Sequence, residues 1–129
     1  MYLLDTNACL DFTLARSDRL RARVRAQNGV GMAISSITLA ELRFSAGRLQ
    51  SDPADERRLD VFVSILVVHP FDDDAAEAYG KLGAQIAVRR NSFDRLIAAH
   101  ALSLGLTLVT NNERDFADIP GLRVENWTL

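Results

Sequence analysis

Asp5 directly follows the apolar run of residues 1–4. Glu41 lies shortly after the apolar run of residues 31–37, and Asp94 opens the run Asp94-Arg95-Leu96-Ile97-Ala98. A further polar group, Thr110, Asn111, Asn112 and Asp115, follows an apolar run that ends at Thr110. If folding gathers these acids, they repel one another. Some then keep their protons to higher pH, and their titrations couple. A divalent cation removes that cost. Donors that are all oxygen suit Mg²⁺ or Mn²⁺. One or two carboxylates on a largely hydrated Mg²⁺ are a common way to hold a phosphate substrate. Zinc sites draw on His and Cys, and the chain offers only Cys9, His69 and His100.

Each acid also has a plain structural role open to it. Thr38-Leu39-Ala40-Glu41 matches a capping box, in which Glu41 satisfies a helix N-terminus. Asn91-Ser92-Phe93-Asp94 allows a similar role for Asp94. A lone aspartate after a strand, as Asp5 is, often serves a turn or cap. The elements around the acids decide how they are placed.

Residues 1–4 read as a short strand, with Asn7 capping a helix that runs to about residue 14. Ser17-Asp18 restarts a helix that stops near Asn28-Gly29. In that segment Arg19, Arg21, Arg23 and Arg25 alternate with apolar residues, which is a strand period. Its strong helix formers and its start and stop signals still favour helix. Residues 31–37 predict a buried strand and 38–49 a helix. Asp52-Pro53 opens another helix, since proline suits the first turn, and residues 67–68 form a short strand. Acids at the start and arginines at the end predict a helix over 72–90. Residues 92–104 predict a helix stopped by Gly105. Strands follow over 106–110 and 122–127. Strands separated by helices imply a three-layer α/β/α domain over residues 1–129, with a central, mostly parallel sheet. In such sheets the functional cleft lies beyond the carboxyl ends of the strands.

Composition narrows the classes. No stretch approaches the roughly 20 apolar residues of a membrane span, and no secretion signal is expected from the N-terminus. The single cysteine excludes an intramolecular disulfide and fits a reducing cytosol, so a cytoplasmic location is predicted. A net charge of −2 argues against a protein that coats nucleic acid. The basic residues are arginines except for Lys81. Arg16, Arg19, Arg21, Arg23 and Arg25 form one possible phosphate-contacting flank, and Arg89, Arg90 and Arg95 another. Phe44, Phe62 and Phe71 are read as core. His100 sits in an apolar stretch and is read as a packed, hydrogen-bonded histidine.

The local sequences around the acids carry a resemblance. Leu3-Leu4-Asp5-Thr6-Asn7, Ile34-Ser35-Ser36-Ile37-Thr38-Leu39-Ala40-Glu41-Leu42, Asp94-Arg95-Leu96-Ile97-Ala98-Ala99-His100 and Leu108-Val109-Thr110-Asn111-Asn112-Glu113-Arg114-Asp115-Phe116 resemble, in order, the four motifs of PIN domains. The likeness is strongest to the VapC toxins of bacterial toxin–antitoxin pairs. Ile119-Pro120-Gly121 to Trp127 also looks like that family's ending. The resemblance implies that Asp5, Glu41 and Asp94 surround Mg²⁺ or Mn²⁺, with Thr6, Asn7 and Thr110 lining the site. Many PIN domains have an aspartate where Asn112 stands, and Asp115 is the nearest acid that could replace it. The stretch before Asp94 also departs from the common Gly-Pro-Asn-Asp.

The activity so implied is that of an endoribonuclease. It would hydrolyse RNA phosphodiesters with a metal-activated water, leaving 5′-phosphate and 3′-hydroxyl ends. It would act as the toxin of a type II pair, as a homodimer restrained by a cognate antitoxin seated beside the site. A PIN nuclease that is not a toxin, or a catalytically silent PIN module, is the alternative within the family. Two readings lie outside it. One is metal-independent RNA cleavage by His69 and His100. The other is a receiver-like signalling domain, which needs a lysine after a late strand, where none follows residues 106–110.

Overall fold

In the computed structural model, described over residues 1–48, 51–86 and 92–129, five short strands form one sheet: β1 (Tyr2–Leu4), β2 (Met32–Ser35), β3 (Val67–His69), β4 (Thr107–Val109) and β5 (Val124–Glu125). Their order is β3-β2-β1-β4-β5, and every pairing is parallel. Side-chain alternation along the central strands divides the core. Leu4, Met32, Ile34 and Val109 face one helical layer with Ala8, Leu20, Val24, Leu42, Leu59 and Phe62. Leu3, Ala33 and Leu108 face the other with Leu82, Ile97, Ala98 and Ala101. The three layers follow from that two-residue period, because a parallel sheet must be covered on both faces.

The first layer holds α1 (Thr6–Thr13), α2 (Asp18–Gln27), α3 (Ser36–Ala46) and α4 (Pro53–Ser64), and the second α5 (Asp73–Gln85) and α6 (Phe93–Leu104). The arginine-rich segment is helix, as its caps predict. The Ser17 hydroxyl accepts from the Leu20 N–H at 3.2 Å, and Asn28 ends the helix in the left-handed conformation at φ 50°. Gly105 ends α6 at φ +66°, where a side chain would be strained. Asp52 caps α4 ahead of Pro53, as expected.

Several boundaries differ from expectation. Asp5, not Asn7, caps α1, because the chain turns into helix immediately after β1. The strand predicted over 31–37 stops at Ser35, which caps α3. Thr38 is therefore inside the helix and buried, with no partner for its hydroxyl among the described residues, so the capping box is absent. The helix predicted to residue 90 ends at Gln85, with Ile86 extended. Residues 87–91, including Arg89 and Arg90, lie outside the described residues. The strand expected over 122–127 is confined to Val124–Glu125. Among the described residues no helix is long and apolar enough to cross a membrane.

Phe62 is core, as expected, and stacks on Phe12 with ring centroids 4.7 Å apart. Phe62→Ala should cost about 3–5 kcal/mol. It would be read as a lower urea midpoint at unchanged slope.

Candidate active site

The strand order places a switch point between β1 and β4. β1 leads into α1 in the first layer. β4 leads into a 3-10 turn (Glu113–Phe116) whose Phe116 packs in the second. The two connections leave in opposite directions and open a crevice at the strand ends. Asp5 and Thr110 stand there, one residue past β1 and β4, with the Asp5 N–H donating to the Val109 carbonyl at 3.0 Å.

Asp5 is buried, and its Oδ1 accepts from the Ala8 N–H at 2.8 Å. Burial raises its pKa to about 6, and the charges of Asp94 and Asp11 add to that. The Thr110 hydroxyl and the Ala8 N–H pull the other way without cancelling it. Asp94 sits in the first turn of α6. Its pKa is also raised, first by burial and then by Asp115, with Arg95 opposing. Glu41 lies two residues deeper in α3 than predicted, and its Oε1 accepts from the Thr6 hydroxyl at 2.6 Å. Thr6, Glu41 and Asp94 line one cleft with the exposed Asn7. Asn112 donates to the Asp115 carboxylate at 2.6 Å and, through its N–H, to the Thr110 hydroxyl at 3.0 Å. Asp115 makes no cap. It is held beside Asp94, where its charge is felt.

Glu41 and Asp94 thus line one cleft, and Asp94 interacts through its charge with Asp5 and with Asp115. Among the described residues, Asp5, Glu41, Asp94 and Asp115 make no ion pair within 4.0 Å. Among the same residues, no three His, Cys, Asp or Glu side chains are grouped closely enough to hold one ion. The donor set fits a hydrated hard cation taken by one or two carboxylates, rather than a closed cage. The buried Asp5 and the half-buried Asp94 repel one another, and they are where such a charge would relieve most.

Other expected residues lie elsewhere. Arg95 is buried and forms a bidentate pair with Asp118 at 2.8 and 3.1 Å, so it is not an exposed phosphate contact. Arg23 pairs with Glu125 at 3.3 Å and lies over the Trp127 ring, whereas Arg19 is exposed. Phe44, read as core, is 72% exposed at the cleft. His100 is packed as expected, its Nδ1 2.8 Å from the Ser35 hydroxyl, and burial lowers its pKa. His69 lies beside it at 6.4 Å between ring centroids, but the 1% exposure of His100 leaves it no route to a substrate. The only lysine, Lys81, is on α5 in a pair with Glu77, far from a receiver's requirement.

Sequence reasoning missed Asp11, a buried acid on α1 that accepts from the Asn111 side chain at 2.7 Å and raises the Asp5 pKa. The available signal was an aspartate inside an otherwise apolar helix.

The PIN domain pattern matches residues 2–122 of this chain. The chain belongs to the PIN domain family. Among PIN-domain relatives, the tRNA(fMet)-specific endonuclease VapC of Salmonella typhimurium (strain LT2) is 40% identical, covering 98% of this chain and 97% of the relative. Ribonuclease VapC2 of Rickettsia felis is 35% identical, with 98% of each covered. Among solved structures, DNA-bound VapBC from Salmonella typhimurium superposes with a TM-score of 0.88 at 36% identity, over 98% of this chain and 97% of that one. VapBC2 from Rickettsia felis bound to a promoter DNA fragment gives 0.86 at 32% identity, over 98% of each. The PIN architecture expected from the motifs, a central parallel sheet between helical layers, is the one found.

Proposed function

We propose that this chain is a metal-dependent endoribonuclease and the toxin of a type II toxin–antitoxin pair. The observation that carries the reading is that Glu41 and Asp94 line one cleft and Asp94 adds its charge to the buried Asp5, with none of the three in an ion pair among the described residues. Full-length similarity to VapC ribonucleases supports it. Asp5 and Asp94 would hold Mg²⁺ or Mn²⁺. When bound, the ion supplies charge neutralisation at the phosphate and activation of water. Glu41, fixed by Thr6, would orient the attacking water in line with the scissile bond. Asp115, held by Asn112, would add charge on the far side of Asp94 and compensate for the aspartate absent at 112. Thr110 keeps Asp5 directed into the crevice. Arg19 would contact RNA from α2, and Arg23 would do so only by giving up its pair with Glu125.

Two relatives bear names specifying tRNA(fMet), so transfer RNA is the first substrate to test. Solved relatives are VapBC complexes, and an antitoxin is the expected partner. A small pocket between α1, α3 and α4, lined by Leu10, Leu14, Leu42, Ala46 and Leu59 together with Thr13, Asp55 and Arg58, would take one of its apolar side chains. The family resemblance also supports a homodimer, which sedimentation would read.

The purified chain should cut transfer RNA to fragments with 5′-phosphates. Cleavage should stop in EDTA and return with Mn²⁺ or Mg²⁺. In cells, sequencing RNA ends after induction should show new ends absent from an Asp94→Ala strain. Undiminished cutting in EDTA, or identical end profiles in the two strains, would overturn the reading.

A further inference from the structure

The two connections that leave the switch point in opposite directions are tied to each other by a buried carboxylate. Asp11 lies on α1, about 9 Å along the helix axis from Asp5. It is 5% exposed. Its Oδ2 accepts from the Asn111 side-chain amide at 2.7 Å, across 100 residues of sequence. Asn111 is the middle residue of a hydrogen-bonded turn. The Asn112 N–H donates across it to the Thr110 hydroxyl at 3.0 Å, and the Asn112 side-chain amide donates to the Asp115 carboxylate at 2.6 Å. The Thr110 hydroxyl in turn bonds the Asp5 carboxylate. One end of the turn is therefore bonded to Asp5 and the other to Asp115, whose charge reaches Asp94.

A buried carboxylate is costly unless it is well hydrogen-bonded. Beyond Asn111, the Asp11 carboxylate meets Arg16 at 3.9 Å, a side chain that is 52% exposed. The Asp11 charge also adds to the burden on Asp5. The other buried residues of α1, Ala8 and Cys9, are apolar. Stability alone would favour an apolar residue at 11 as well. What the carboxylate supplies is a charge-assisted hydrogen bond to an exposed asparagine, shorter and stronger than a neutral one. That bond holds the turn from the side of α1. The backbone bond from the Thr110 N–H to the Glu125 carbonyl, at 3.0 Å, holds the same turn from the side of β5.

We infer that Asp11 is a positioning residue for the reaction: through Asn111 it fixes the turn of residues 110–112 against α1, and so sets where Thr110 and Asp115 stand relative to Asp5 and Asp94. The inference rests on the ribonuclease reading above and adds a residue that works from inside the fold, away from RNA. A displacement of about 1 Å at a reacting group costs on the order of a hundredfold in rate. A turn released on one side is therefore felt in the chemical step, and the binding of RNA is left largely as it was.

The test compares Asp11→Ala, Asp11→Asn, Asn111→Asp and the swapped pair, Asp11→Asn with Asn111→Asp. Asp11→Ala removes the bond, and its kcat should fall roughly ten- to hundredfold while KM changes by less than about threefold. Its melting temperature should not fall in step, since a buried charge has gone as well. Asp11→Asn keeps an oxygen facing Asn111 and should retain most of the activity. Asn111→Asp sets two carboxylates against each other and should lose as much as the alanine variant. The swapped pair restores one amide and one carboxylate, with donor and acceptor reversed, and should recover most of that loss. In the metal-free proteins, hydrogen exchange at the Asn112 amide should quicken by about tenfold or more in Asp11→Ala, with the amides of α5 unchanged. Faster exchange in a protein that never cuts RNA would keep the tie and remove the nuclease. Normal cutting and unchanged exchange in Asp11→Ala would remove the tie and keep the nuclease. A swapped pair no better than Asn111→Asp, an Asp11→Asn as impaired as Asp11→Ala, or a loss that appears in KM would likewise overturn the inference.

Discussion

Replacing Asp5 by asparagine is expected to abolish RNA cleavage and, in the same protein, to raise its metal-free stability above pH 6. The two effects have one cause. Asp5 is held in a buried position where its charge is unwelcome, and its pKa stands at about 6 against an ordinary 3.8. Asparagine preserves the cap, because its side-chain oxygen can still accept from the Ala8 N–H. It removes only the charge. A charged cation ligand supplies several kcal/mol of transition-state stabilisation, so the loss of activity should be roughly 10³-fold or more.

The sign of the stability effect follows from proton linkage. Between pH 3.8 and about 6 the folded chain holds a proton on Asp5 that the unfolded chain has released. Wild-type stability from this group is therefore full below that window and is lost as pH rises through it. At pH 7 the loss amounts to roughly 3 kcal/mol. The asparagine variant has no such loss. In EDTA, the difference between variant and wild-type melting temperatures should grow from pH 4 to pH 7 and then level off. Mg²⁺ should narrow it by stabilising the wild type alone, as a ligand of the folded state does. A difference that stays flat across this range would show that Asp5 is not held against its charge.

The acids were legible because their chemistry and their positions coincide. Asp5 ends a strand, Asp94 begins a helix, and a parallel sheet gathers such positions at one edge. The helical layers were legible from caps such as Ser17, Asp52 and Gly105. What failed depended on partners that the sequence does not mark. Ser35, Ser36 and Thr38 all offer hydroxyls near the start of α3, and the length of β2 decides in favour of Ser35. Phe44 has the residue type of a core position, but α3 presents it to the cleft, where it stays exposed. Asp11 is read as an interrupted apolar helix until the turn after β4 brings Asn111 against it.

Arg95 is the sharpest case, and its prediction separates a structural role from RNA binding. Beside Arg89 and Arg90 in the sequence it reads as part of a basic flank. The fold instead buries its side chain to 6% exposure against Asp118, which remains 52% exposed. The pair ties the first turn of α6, which carries Asp94, to the segment after the 3-10 turn, which carries Asp115. Asp118→Asn should therefore leave a buried guanidinium poorly compensated and cost about 2–4 kcal/mol. That is near the lower end for breaking a buried pair, because one partner faces solvent. Replacing both residues with apolar ones, Arg95→Met with Asp118→Val, should recover much of the loss. Salt dependence then decides the role. An arginine that contacts a phosphate contributes about 0.7 to the logarithmic salt slope of single-stranded RNA affinity. The exposed Arg19, changed to glutamine, should lower the slope by about that much if it contacts RNA. The double variant should leave the slope unchanged, since a buried guanidinium paired with Asp118 neutralises no phosphate and so releases no counterion. A slope that falls in the double variant would return Arg95 to the RNA surface.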